Sequence, residues 1–112
     1  MISRQSQHYR CTVLDDMKEN SVIACDLLKA IAQETRLLIL CSLLPGERTV
    51  SDIEQELGMR QAAVSQQLSR LRLQGIVSSR RDGKTVYYRL EDPRTEQILR
   101  TLHGIFCTEP KS

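Results

Sequence analysis

The segment "RQAAVSQQLSRLRLQGIVSSRRDGKTVYYRL", residues 60–90, constrains the possible folds more than any other part of the chain. Its first half carries Val64, Leu68 and Leu71 at i, i+4 and i+7, the stripe of an amphipathic helix, and Gly75 ends that pattern. Two β-rich runs follow, 76–81 and 84–90, joined by Asp82–Gly83. Asp-Gly between such runs predicts a hairpin with a type I′ turn, because that turn needs positive φ at both central residues. A helix that leads at once into a hairpin leaves few small folds open.

The residues upstream narrow the choice further. Thr49 with Asp52, or Ser51 with Glu54, has the spacing of a capping box and starts a short helix with Ile53 and Leu57 on its apolar face. Gly58 suits the left-handed C-cap of that helix. Before it, a helix is expected from Glu34 to Leu44, stopped by Pro45–Gly46. An imperfect stripe through Val13, Leu14, Met17, Ser21, Ile23, Leu27, Leu28 and Ile31 predicts a first helix over about 13–31. After Pro93 a last helix runs to about Phe106, with Ile98, Leu99, Leu102, Ile105 and Phe106 on a broad apolar face.

The expected fold is mainly α with a β-hairpin wing: a winged helix-turn-helix in the order α-α-α-α-β-β-α. Residues 1–11 read as a flexible N-terminal arm, 12–107 as one DNA-binding and dimerisation domain, and 108–112 as a C-terminal tail. A chain of 112 residues builds a core of limited size, and its last helix is more apolar than so small a domain can cover. A homodimer through the first and last helices is therefore expected. No run is long and apolar enough for a signal peptide or a membrane span, which predicts a cytoplasmic protein with no membrane partner.

Charge is unevenly distributed. Residues 1–59 carry six basic and nine acidic side chains, a net of −3; residues 60–89 carry seven basic against Asp82 alone, a net of +6. The plain reading is a solvated face, and the sharper one is a surface for phosphates. At 100° per residue, Ala62, Ser65, Gln66, Ser69 and Arg70 fall on the outward or flanking faces of the helix. They are types that read base edges: Gln bonds bidentately to adenine, Ser bonds base or phosphate, and Ala permits close approach. Gln61, Arg72, Arg80, Arg81, Lys84 and Arg89 suit contacts to the backbone or minor groove, which position the protein and make its affinity salt-dependent. The bland alternative is that Gln66 and Gln67 are simply soluble helix surface.

The segments "LKAIAQETRLLILCSL", "ERTVSDIEQELGMRQAAVSQQLSRLRLQGIV" and "RRDGKTVYYRL" resemble the ArsR/SmtB family of bacterial winged-helix repressors over roughly residues 26–107. The resemblance implies a homodimer that binds an imperfect inverted repeat in double-stranded operator DNA and is released by an inducer. Arg60 departs from the family, which often has Ser or Thr where the fourth helix begins; Arg cannot accept an N-cap bond.

Metals and arsenicals are the inducers the family implies most often. The family's Cys-x-Cys of the third helix is absent here, where Thr49 and Ser51 stand instead. Its Asp-x-His and His-x-x-Glu zinc pattern is also broken: Asp92 is followed by Arg94, and the later positions fall on Ile105 and Thr108. His103 is out of register and His8 is isolated in the arm, whereas zinc wants three or four converging ligands. No metal site and no cofactor is expected.

Four cysteines remain, Cys11, Cys25, Cys41 and Cys107, with no CxxC or CxC among them. Cys41, inside "LLILCSLL", could be core filler, because free cysteine is a small hydrophobe. The pairing of Cys41 with Cys107 resembles the dithiol branch of the family that responds to persulfides and polysulfides. That resemblance implies redox sensing by Cys41 and Cys107, joined by bridging sulfur, with release from DNA and derepression of sulfide-detoxification genes. Cys11 is a possible accessory thiol, and Cys25 reads as interface or core filler. Arg36 and the helix fields are candidates for tuning the thiolate.

Rival readings stay open. The same thiols could serve an arsenite or soft-metal sensor, or a general oxidant sensor that forms a simple disulfide. An enzyme finds no support, for neither a triad, a metal constellation nor a phosphate-binding glycine loop occurs, so no catalytic residue is assigned. A winged-helix adaptor that binds protein alone is opposed by the basic helix and hairpin.

Overall fold

A computed structural model describes residues 12–107. Cys11, the candidate accessory thiol, and the tail position Thr108 lie outside the described residues. Contacts divide the chain into two compact units, the first ending at Ile31 and the second beginning at Ala32.

The first unit holds helix α1, Val13–Ile31, with Asp15 and Asp16 in its first turn and Lys29 in its last, the polarity that suits the helix dipole. Much of its apolar side is exposed, including Val13, Leu14, Met17, Val22, Ile23 and Leu28.

The second unit runs α2 (Glu34–Ser42), β1 (Arg48–Thr49), α3 (Val50–Leu57), α4 (Gln61–Leu73), β2 (Val77–Asp82), β3 (Thr85–Leu90) and α5 (Pro93–Phe106). Ile39, Leu40, Ile53, Val64, Leu68, Leu71 and Leu99 are wholly buried and form its core, joined by Leu43, Ile76 and Val77. The predicted stripe of α4 is thus its buried side.

The structure moves the boundaries of α2 and of the hairpin turn. Helix α2 stops at Ser42 rather than Leu44. Pro45 disfavours helical geometry at Leu44, and the chain leaves by tighter bonds, Leu43 N–H to Leu40 O at 3.0 Å and Leu44 N–H to Cys41 O at 3.1 Å. In the hairpin, Asp82 is the last residue of β2 and pairs with Thr85, so the two-residue loop is Gly83–Lys84 and not Asp82–Gly83. Gly83, at φ 68°, supplies the positive φ that primed turns require at their first central position.

Strand β1 has no counterpart in the sequence reading. It pairs antiparallel with β3, Arg48 opposite Tyr88 and Thr49 opposite Tyr87, giving a three-stranded sheet in the order β1-β3-β2. Among the described residues no helix is long and apolar enough to cross a membrane.

Candidate nucleic-acid interface and thiol pair

Helices α3 and α4 form the helix-turn-helix, and α3 is closed at both ends. Thr49 Oγ1 accepts from Asp52 N–H at 3.0 Å, and Asp52 Oδ2 accepts from Thr49 N–H at 3.1 Å. The Thr49 backbone N–H first, and its hydroxyl second, hold the Asp52 carboxyl below its ordinary value. At the other end Gly58 takes the left-handed conformation, φ 67°, and its N–H reaches Glu54 O at 2.8 Å. Arg48 ties the start of α3 to its last turn through Glu56 at 2.7 Å.

Helix α4 begins differently. Arg60 occupies the N-cap and makes no side-chain capping bond, as its donor-only guanidinium requires. Gln61, Ala62, Gln66, Ser69, Arg70 and Arg72 are exposed, and Ser65 is half-buried. Gln67 is not part of that open face. It is half-buried, and its Oε1 accepts from Arg36 Nε on α2 at 3.0 Å. Gln67 lies at i+3 from Val64, on the flank of the apolar stripe, and that spacing was the available signal.

The wing carries Arg80, Arg81, Lys84 and Arg89, all exposed. Arg80 also braces the hairpin. Its Nε and a terminal nitrogen donate to the two carboxylate oxygens of Glu47 at 2.7 and 2.8 Å, and its guanidinium lies 4.5 Å from the centre of the Tyr87 ring. Arg89 pairs with Glu91 at 3.1 Å.

The thiols divide by exposure. Cys41 is half-buried in α2, and Cys107 is exposed as the C-cap of α5, its N–H donating to His103 O at 2.8 Å. Burial pushes the Cys41 thiol above its ordinary value, and negative charge at Cys107 adds to the push. The fold therefore brings two cysteines 66 positions apart within electrostatic reach of each other. Both are free thiols. Cys25 is exposed on α1, so it is not core filler within this chain.

Asp92, which begins the broken zinc pattern, caps α5. Its side chain accepts from Arg94 N–H at 2.9 Å, and Pro93 takes the first helical position. His103 is exposed. Among the described residues no group of three or more His, Cys, Asp or Glu is placed to hold a metal ion.

Residues 33–79 match the model of the bacterial regulatory protein arsR family. The chain is 39% identical over 97 residues to the biofilm growth-associated repressor of Xylella fastidiosa (strain Temecula1), covering 87% of this chain and 85% of that one. It is 40% identical over 94 residues to the transcriptional activator HlyU of Vibrio cholerae, covering 84% and 87%. The crystal structure of the transcriptional repressor BigR from Xylella fastidiosa superposes with a TM-score of 0.82 at 37% identity, over 88% of this chain and all of that one. Sequence and fold agree on one conclusion: the chain belongs to the ArsR family of bacterial regulatory proteins and is a DNA-binding transcriptional regulator, not an enzyme.

Proposed function

We propose that the chain is a homodimeric repressor that grips an inverted-repeat operator with α4 and the wing, and that it lets go when an inducer engages Cys41 and Cys107. The observation that carries this reading is a pair of free thiols in one compact unit, Cys41 half-buried on α2 and Cys107 exposed at the end of α5. A dithiol shared by two helices is a place where one small ligand changes how those helices pack.

The parts have separate supports. Ala62, Ser65, Gln66, Ser69 and Arg70 read bases, and Gln61, Arg72, Arg81 and Lys84 hold phosphates, with Arg80 and Arg89 at the wing's edge. Their chemistry supports these roles, as does the exposure of all but half-buried Ser65. Dimerisation through α1 and α5 has its support in the exposed apolar side chains of each, among them Val22 and Ile23 on α1 and Ile105 and Phe106 on α5. Cys25, exposed on α1, fits the same interface.

For a sulfane-sulfur inducer, access makes Cys107 the first thiol to react. Its thiolate attacks the outer sulfur of a low-molecular-weight persulfide, RS–SH; that S–S bond breaks, RS⁻ leaves, and Cys107–S–SH forms. The Cys41 thiolate then attacks the inner sulfur and expels HS⁻, leaving a disulfide. If Cys41 has itself been persulfidated, its terminal sulfur makes that attack and the product is a trisulfide. Longer bridges span gaps that a direct disulfide cannot.

A second reading has the more direct support among the relatives: the same thiols hold arsenite or a soft metal. The crystal structure of the AntR antimony-specific transcriptional repressor superposes with a TM-score of 0.72 at 32% identity over 76% of this chain. Three thiolates satisfy such an ion, and Cys11 is the candidate for the third.

One experiment separates the two. The reduced protein is treated with glutathione persulfide or with arsenite, and operator affinity and intact mass are measured. Sulfane-sulfur sensing predicts lost affinity and a covalent bridge mapped to Cys41–Cys107; a loss of about 2 Da marks a disulfide and a gain of about 30 Da a trisulfide. Lost affinity with arsenite alone, and no bridge with persulfide, selects the thiolate site. Unchanged affinity with both sinks the proposal.

A further inference from the structure

Cys41 sits on α2, and DNA is read by α4. The backbones of these helices are not packed closely together; α3 lies against both. A side-chain bond crosses between them directly, from Arg36 Nε on α2 to Gln67 Oε1 on α4 at 3.0 Å, and it is partly buried.

The chemistry of the bond makes it specific. Arginine has only donors, so the amide must present its oxygen to the guanidinium. Partial burial raises the cost of leaving that oxygen without a partner. Arg36 is itself fixed at the start of α2, where its backbone N–H donates to the Gln33 side chain at 3.0 Å. Cys41 lies five residues further along the same helix. Five residues span about 7.5 Å of helix axis, too short a rod to absorb a displacement by bending. On α4, Gln67 stands between exposed Gln66 and wholly buried Leu68, where the reading face meets the core.

We propose that Arg36 and Gln67 form the joint through which α2 sets the seat of the recognition helix, so that Gln67 is a positioning residue for DNA reading. This rests on the reading of Cys41 as an inducer-sensing thiol. When the inducer draws Cys41 toward Cys107, α2 shifts as a unit and Arg36 shifts with it. Gln67 follows, or the bond breaks. In either case α4 loses the orientation in which its outward side chains meet the groove. The joint is indifferent to which inducer acts at the thiols.

The test is a double-mutant cycle on the inducer response. Operator affinity is measured for the wild type, Arg36→Met, Gln67→Met and the double variant, each reduced and each treated with glutathione persulfide or arsenite. Urea unfolding shows which variants remain folded, and Gln67→Met, which keeps the side-chain length, carries the test if Arg36→Met does not fold.

In the wild type, the ratio of treated to reduced dissociation constants measures the coupling. Each single variant is expected to shrink that ratio by about three- to thirtyfold, and the double variant no further. Gln67→Glu, which still accepts from Arg36, keeps the ratio. Single variants with an unchanged ratio overturn the joint, as do losses that simply multiply in the double variant. A wild type that responds to neither reagent overturns the thiol-switch reading, and the joint with it.

Discussion

Helices α3 and α4 are neighbours in one motif, and they are stabilised in opposite ways. Helix α3 is only eight residues long and closes its own ends, with a reciprocal Thr49–Asp52 capping box and a left-handed Gly58. Helix α4 has thirteen residues, no side-chain cap, no acidic residue in its first turn, and basic Arg70 and Arg72 in its last. What holds α4 is packing, through Val64, Leu68 and Leu71, all without exposed surface. The difference fits the tasks proposed for them. A scaffold helix can satisfy its terminal N–H groups internally. A helix that enters a groove needs its first turn open, because N-terminal residues of recognition helices face the bases and phosphates.

The largest expected effect probes the packing of α4. Leu68→Ala should cost about 2–5 kcal/mol, the range for emptying a fully buried leucine site. Urea unfolding at fixed protein concentration measures it. A loss as small as that from removing a cap would mean that α4 is not held by its buried stripe.

The cap of α3 is worth less. Thr49→Ala removes one of its two reciprocal bonds and should cost about 1 kcal/mol. The carboxylate half of the box gives this region a pH dependence. Asp52 has a lowered value in the folded state, so its contribution is fully present above the unfolded carboxylate value and is lost as pH falls through the folded one. Unfolding midpoints between pH 7 and the acid range should therefore fall less steeply for Thr49→Ala than for the wild type. Parallel slopes would remove Asp52 from the account.

Local patterns made most of this motif legible in the sequence. Val64, Leu68 and Leu71 repeat along one helix, Thr49 and Asp52 have capping-box spacing, and Gly58 marks a C-cap; each signal lies within a few residues. Strand β1 was not legible because two residues cannot show alternation, and Arg48–Thr49 become a strand only through Tyr87 and Tyr88. The loop at Gly83–Lys84 was off by one residue because Asp82 can either close a strand or occupy a turn, and pairing with Thr85 decides it.

The site divides in the same way. Exposure along α4 followed from helical geometry, apart from Gln67, whose partner is 31 positions away. Arg80 looked like one more cation of the wing; its grip on Glu47 is equally non-local. The nearness of Cys41 to Cys107 depends on how α2 and α5 are placed in the fold, so spacing could suggest two thiols but not their coupling.

The smallest effect tests the open end of α4 most directly. Arg60→Asp supplies an acceptor at the N-cap and a negative charge at the positive end of the helix dipole, and should stabilise the fold by about 0.5–1 kcal/mol. The same change puts a carboxylate where phosphates are expected, so operator affinity should fall and its salt dependence should become shallower. Arg60→Ser separates these effects, because it caps without adding negative charge: it should keep most of the stability gain with a smaller loss of affinity. Gain in stability would then track the capping oxygen and loss of affinity the charge at one position, as they must if the end of α4 is left open for DNA. If Arg60→Asp raises stability and leaves operator affinity and its salt slope unchanged, the first turn of α4 faces no phosphate, and its missing cap needs another explanation.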